Sequence, residues 1–330
     1  MGLSGHRLGH IRFEVKPIKQ EHVTTTGGAG LRGKHTSFER KRTYSGILFI
    51  LPALLLVGVF IIWPLVQVVK LSFYEWNGVS AVKQFVGLGN YRKLPNLIGF
   101  WEMASGTIIY AAGVAALTIS ISFIVALALD RKSKIGINRN ALRVLWFFPS
   151  LLGLAVIGIL WRIMYDYNTG IINTVLSSFG LDRINWLETY GVTRWAIIIA
   201  SVWSQIGINV IIFLAGLQTI STDFYEAAAI DGAKPLQVLL KITIPMMAQS
   251  ITVVVLTTTI IAFKMYELPL TVSGGLPGNH TRLLTQKIYD LGFVSSDFGR
   301  GSALSVVLIL IITFISFLQH LYLRKREDIY

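Results

Sequence analysis

The amino-acid sequence predicts an all-α, polytopic membrane protein with six transmembrane helices, on three observations. Of its 330 residues 53% are hydrophobic and 14% charged, with a mean hydropathy of +0.61, too apolar for a soluble domain of this size. Six runs near the length of roughly 20 residues that a helix needs to cross the hydrocarbon core carry almost no charge. The positive charge, which makes the formal net charge +13, is gathered in the tails and one short loop, where membrane topology places it.

The first span, near 46–70, is uncharged from Thr43 to Val69, its apolar part beginning near Ile47. The second, near 103–129, has no charge between Met103 and Leu129. The third, near 143–163, is the shortest and lies between Arg143 and Arg162. The fourth, near 195–218, covers Trp195 to Leu217; the fifth, near 242–264, lies between Lys241 and Lys264; the sixth, near 301–323, lies between Arg300 and Arg324. These runs are continuous rather than alternating, so they read as helices and not as barrel strands. Pro52, Pro64, Pro149 and Pro245 fall within spans or at their ends, where proline marks kinks supported by neighbouring helices. Trp63, Trp161 and Trp195 stand at span ends and read as interfacial anchors in membrane lipid.

Lys and Arg set the orientation. Nine of them lie between Arg7 and Arg42; the loop after the second span holds Arg131, Lys132, Lys134, Arg139 and Arg143; the chain closes with Arg324, Lys325 and Arg326. The opposite loops are more balanced, with Asp166, Asp182, Arg183, Glu188 and Arg194. Both termini are therefore expected in the cytoplasm. Residues 1–44 are polar and glycine-rich and read as a flexible basic tail; with no apolar run before Ile47, a cleavable signal at the extreme terminus is not expected. Nucleic-acid binding is not expected, because no aromatic-and-basic module accompanies the charge. Without cysteine there is neither a disulfide framework nor a thiolate metal site, and His6 and His10 form no metal set. Gly28-Ala29-Gly30-Leu31-Arg32-Gly33-Lys34-His35 imitates a phosphate loop but lacks the preceding strand, and His35 stands where a Ser or Thr would hold magnesium.

Between the fourth and fifth spans lies a polar insert, residues 222–240. Asp223 with Glu226 three residues on predicts a capping box and a short helix over roughly Phe224 to Ile230. Ala227, Ala228 and Ala229 favour helix and offer little bulk. Gly232, after Asp231, is placed to end the helix in a left-handed conformation. Lys234 is pushed out of helical geometry by Pro235, which suits the first position of a second helix. Leu236, Leu239 and Leu240 recur at helical spacing and are expected to bury against the span ends. The predicted object is a bent pair of short helices standing out from the membrane.

The pattern Glu226-Ala227-Ala228, three residues, Gly232, nine residues, Ile242-Thr243-Ile244-Pro245 resembles the signature of membrane subunits of binding-protein-dependent ABC importers, with Ile244 in the usual place of Leu. The likeness runs over roughly residues 45–327. Leu51-Pro52-Ala53, Gly87-Leu88-Gly89-Asn90-Tyr91, Asn185-Trp186-Leu187 and Gly301-Ser302-Ala303-Leu304-Ser305 resemble the carbohydrate-uptake branch, as does Ser273-Gly274-Gly275-Leu276-Pro277 with its inserted Leu276. The resemblance is to the first permease of a two-permease pair. It implies the type I permease fold, a second permease, two ABC ATPase subunits, an extracytoplasmic solute-binding protein and a sugar or oligosaccharide substrate. It also implies that Glu226 is the charged contact to the ATPase, Ala227 and Ala228 the close-packed face, Gly232 the bend, and that ATP and magnesium belong to the ATPases, this chain binding no cofactor and carrying no catalytic residue.

Substrate-path candidates follow from polarity at membrane depth. Gln205 and Asn209 are four apart on one helix face, with Trp203 nearby; Thr257, Thr258 and Thr259 precede Tyr266. The same side chains also serve as interhelical hydrogen-bond glue. Lys264 with Glu267, and Arg162 with Asp166, read as local ion pairs. Competing functions are a permease for another small solute such as glycerol phosphate, a stand-alone ion-coupled carrier, and a membrane enzyme. The spans are nearly free of the ionisable residues that a carrier buries, and no His, Cys or carboxylate cluster supports an enzyme.

Overall fold

The computed structural model describes residues 48–130, 139–275, 278–279 and 281–327. The tail 1–44 with its glycine-rich stretch, His6 and His10, and the loop cations Arg131, Lys132 and Lys134 lie outside them, as do Leu276 and Pro277. The chain divides into two units, Met1–Ile62 and Trp63–Tyr330. Of the first, Leu48–Ile62 is described. It forms the start of helix α1 (Leu48–Leu71), whose apolar window has a mean hydropathy of 2.7 and no buried residue. A helix that is apolar all round belongs against lipid or another protein.

In the second unit three long helices are unbroken: α3 (Phe100–Leu129), α7 (Val192–Thr219) and α13 (Phe298–Glu327). With α1, they are the four helices among the described residues that are long and apolar enough to cross a membrane singly. The third and fifth expected spans are not single helices. The short helix α4 (Arg139–Phe147) leads into a 3₁₀ turn at Phe148–Leu151, and the segment Leu142–Leu151 is bent by 107° from α5 (Leu154–Met164). Pro149 sits inside that turn, and Leu152 and Gly153 are extended, so the ladder of hydrogen bonds is interrupted. Helix α5 alone is about 16 Å long, half the thickness of a bilayer core. In the fifth, α9 (Pro235–Met246) is bent by 72° from α10 (Ala248–Lys264). Pro245 has no N–H for the carbonyl of Lys241, the backbone widens into a π turn over Leu239–Thr243, and it breaks at Met247.

Helix α7 is the centre of the unit, with 72% of its apolar window buried. Its neighbours are held by packing and by sparse hydrogen bonds. The Tyr110 and Ser201 hydroxyls lie 2.8 Å apart between α3 and α7, and Phe123 meets Phe213 edge-on at 5.4 Å. Gln319 of α13 donates to Thr259 of α10 at 3.0 Å. At Gly207 the backbone of α4 comes so near that a Cβ would lie 2.5 Å from the Trp146 carbonyl oxygen, so only glycine allows this crossing.

Two ends of the bundle can be distinguished. At one end, α8 (Thr222–Ile230) follows α7. At the other, a two-stranded ribbon pairs β1 (Tyr74–Glu75) with β2 (Gln84–Phe85), followed by α2 (Gly89–Lys93). Buried Asn90 donates to the carbonyls of Ser72 and Tyr74 at 3.0 and 2.9 Å and ties this end together. Helices α6 (Ile171–Ser178), α11 (Glu267–Ser273) and α12 (Leu284–Tyr289) complete the unit, α12 running into a π turn at Asp290–Val294.

Candidate functional site

The segment 222–240 is built by local rules. Extended Ile220 ends α7, and Ser221 caps α8, its hydroxyl accepting from the Asp223 N–H at 3.3 Å. The cap is therefore Ser221 and not Asp223, and the expected capping box with Glu226 does not form. Two capping residues compete here, and the earlier one directly follows the extended residue; Asp223 then lies in the first turn, where its charge meets the positive end of the helix dipole. At the other end Gly232 adopts φ +68°, the Gly232 N–H donates to Ala229 O at 3.2 Å and the Ala233 N–H to Ala228 O at 2.9 Å. This is a Schellman ending, which needs a left-handed residue at that place. Lys234 is extended ahead of Pro235, and the Gln237 side-chain oxygen accepts the Lys234 N–H at 2.8 Å.

The two short helices present Glu226, Ala227, Asp231, Gly232 and Pro235 to the outside. Ala228 faces inward and is 6% exposed, contrary to its expected place on the outer contact face. It shares that inward face with Tyr225, three residues before, whose hydroxyl lies 3.3 Å from the Thr243 hydroxyl. Leu236 and Leu240 are 64% and 55% exposed, so of the three leucines expected to bury only Leu239 is partly covered. Phe224 and Ile230 are exposed as well, giving the projecting pair an apolar outer surface with Glu226 beside it. Pro245 is half-buried within the bent helix rather than on this surface.

The membrane-depth candidates separate into different roles. Asn209 donates to Thr258 of α10 at 2.9 Å, both buried, which is interhelical glue. Gln205 is buried, yet among the described residues its side chain makes only a long 3.5 Å donation to the Ser201 carbonyl and its Oε1 has no partner. Trp203 meets Trp161 edge-on at 5.8 Å, and Trp161 meets Tyr165 at 5.2 Å. Trp161 therefore belongs to an internal aromatic cluster rather than a lipid anchor, its indole N–H buried and without a partner among the described residues. Thr257 points outward and returns its hydroxyl to the Val253 carbonyl at 2.7 Å.

Tyr266 lies in the break between α10 and α11 and lines a cleft of about 260 Å³ with Leu154, Ile261, Lys264, Met265 and Glu267. Lys264 and Glu267 form no ion pair among the described residues, because Lys264 ends one helix and Glu267 opens the next, so helical spacing does not hold across extended Met265. Arg162 and Asp166 are likewise unpaired with each other. The Asp166 carboxylate instead accepts the backbone N–H groups of Thr169 and Asn168 and the Thr169 hydroxyl, at 2.7, 3.0 and 2.8 Å. The Thr169 bonds hold its pKa below the ordinary carboxylate value.

The chain is thus a bundle of apolar helices, two of them bent and interrupted, with a projecting pair of short helices beyond one end. Residues 136–328 match the model of the family described as "Binding-protein-dependent transport system inner membrane component", more than half of the chain, and the chain belongs to this family. It is 31% identical over 281 residues to the probable starch degradation products transport system permease AmyD of Thermoanaerobacterium thermosulfurigenes, covering 85% of this chain and 94% of that protein. To the trehalose/maltose transport system permease MalF of Thermococcus litoralis it is 33% identical over 274 residues, covering 82% and 90%. To the arabinooligosaccharides transport system permease AraP of Bacillus subtilis it is 30% identical, covering 92% and 96%. A chain of the bacterial alginate ABC transporter, solved in complex with an alginate pentasaccharide-bound periplasmic protein, superposes with a TM-score of 0.78 at 19% identity, covering 89% of this chain and 99% of that one. The fold is that of a type I ABC-importer permease.

Proposed function

We propose that this chain is one permease subunit of an ATP-driven importer of a sugar or oligosaccharide, forming half of the translocation path. It works with a second permease, two ABC ATPase subunits and an extracytoplasmic solute-binding protein. The observation that carries this is the projecting helix pair: it is fastened inward by Tyr225 and Ala228 and turns outward an apolar surface with Glu226 exposed beside it. An exposed apolar patch rimmed by charge marks a protein contact. The names of the relatives, which speak of starch degradation products, trehalose/maltose and arabinooligosaccharides, support a carbohydrate cargo.

In this mechanism the chain contributes no catalytic group. ATP and magnesium are held by the ATPases; their closure pulls on α8, and the pull passes through the Tyr225–Thr243 contact and the bent α9 into α10. The distribution of Lys and Arg supports a cytoplasmic side for this lever and both termini. Within the membrane Gln205, with its unused oxygen, and Trp203 and Tyr266 are the groups proposed to meet cargo, while Asn209 and Thr258 hold the helices.

The test is uptake by the reconstituted transporter. Glu226→Ala is expected to abolish uptake and weaken co-purification of the ATPase while leaving the subunit inserted. Normal uptake and normal ATPase capture would refute the coupling role.

A further inference from the structure

We propose that a line of aromatic rings at the end of the bundle opposite the lever is a stacking track for a saccharide chain, leading from an open polar cleft at Trp76 to the cleft at Tyr266. The proposal rests on the sugar-permease function above. Tyr266 lies against Tyr289 and Tyr289 against Phe293, each at 5.3 Å between ring centres; Phe293 lies against Phe298 at 5.9 Å and Phe298 against Trp76 at 5.5 Å. The rings come from the helix break before α11, from α12, from the π turn after it, from the start of α13 and from the first loop. They are not all core residues: Tyr289 is 43% and Phe293 70% exposed.

The two ends of this line are open. Beside Trp76 is a cleft of about 430 Å³, within the roughly 300–1,000 Å³ typical of small-molecule sites, lined by Asn77, Ser80, Gln84, Ser295 and the carboxylates of Glu75 and Asp297. Tyr266 opens on the cleft of about 260 Å³ that also holds Lys264 and Glu267. A sugar ring has apolar C–H faces that suit the negative face of an aromatic ring, and a rim of hydroxyls that needs amides, hydroxyls and carboxylates. Both kinds of group are present, and successive rings between the clefts lie 5.3 to 5.9 Å apart centre to centre.

The Trp76 end is built rather than loose. The Asn77 side-chain oxygen accepts the N–H groups of Val79 and Ser80 at 3.1 and 2.8 Å, the Trp76 indole donates to the Ser80 carbonyl at 2.8 Å, and the Phe298 N–H donates to the Trp76 carbonyl at 3.0 Å. Ser296, at the rim, is the non-glycine residue with positive φ among the described residues, at +51°, a strained conformation of the kind that gathers at binding sites. The Lys83 ammonium stands 4.0 Å over the Trp76 ring, a weak surface contact that a sugar face can replace.

The test uses the complete transporter in proteoliposomes with radiolabelled pairs of disaccharide and pentasaccharide from maltose, arabinose and chitin series. Uptake of none by the wild type would defeat the sugar function and the track with it; uptake of a disaccharide with refusal of every pentasaccharide would defeat the track alone. Where both are carried, the double substitution Tyr289→Ala and Phe293→Ala is expected to cut pentasaccharide uptake about tenfold at low concentration and disaccharide uptake less than about twofold. Phe293→Trp, which keeps a ring, is expected to restore the longer substrate. Equal losses for both lengths, no loss for either, or loss of subunit co-purification would overturn the proposal, the last marking the rings as a protein interface.

Discussion

Single side chains in the spans divide by whether their hydrogen bonds are satisfied. Asn209 and Thr258 satisfy each other at 2.9 Å between α7 and α10. Asn209→Leu leaves the Thr258 hydroxyl without that donor and is expected to lower stability in detergent by about 0.6–1.7 kcal/mol, read as a fall in the thermal midpoint. Gln205 is the opposite case, since its side-chain oxygen is buried with no partner among the described residues. Gln205→Leu is expected to leave the midpoint unchanged or raise it while altering transport, because it removes an unsatisfied group. A fall in both variants would make Gln205 glue as well. Gly207→Leu is expected to prevent assembly of the bundle, since its Cβ would strike the Trp146 carbonyl oxygen at 2.5 Å; a thermal midpoint unchanged from wild type would show that α4 can move aside. Nothing in the sequence separates Asn209 from Gln205, four residues apart on one face: their difference lies in what α10 brings opposite them.

At the scale of elements, the lever was the most legible part of the chain and the broken spans the least. Gly232, Lys234 and Pro235 act through their own backbone preferences, which do not depend on distant residues, and the Schellman ending and second helix follow from them. Gly232→Val places a β-branched residue at φ +68° and is expected to cost about 1–2 kcal/mol locally and to abolish uptake with the protein still inserted. Gly232→Asn, which tolerates that conformation, is expected to retain uptake; if both variants transport normally, the bend does not matter. The cap falls on Ser221 rather than the expected Asp223 because both are good capping residues and only the extended backbone at Ile220 decides between them. In the spans at 143–163 and 242–264 the sequence marks kinks at Pro149 and Pro245, but not bends of 107° and 72°, because apolarity summed over a window is blind to the extent of a break inside it. The ion pairs expected from three- and four-residue spacing failed for a related reason: at Met265 and Tyr165 the helix on which that spacing depends has stopped.

For the whole molecule the open prediction is its orientation. The chain has no cysteine, so single cysteines report sidedness without background. Asp231→Cys is expected to react with a membrane-impermeant maleimide only in inside-out vesicles, and Val79→Cys, 89% exposed, only in right-side-out ones. The reverse pattern would place the lever outside the cell and end the coupling mechanism. Sequence alone determined the membrane class, the number of apolar runs, and the place of the projecting helix pair, because hydropathy, charge asymmetry and turn chemistry are properties of short stretches. Tertiary structure decided the rest: which runs bend, which way Ala228 and Leu236 face, which polar group at membrane depth is left unbonded, and that rings from Trp76 and from Tyr266 to Phe298 form one line. Those outcomes depend on contacts between residues far apart in the chain, and no local preference encodes a neighbour that only folding supplies.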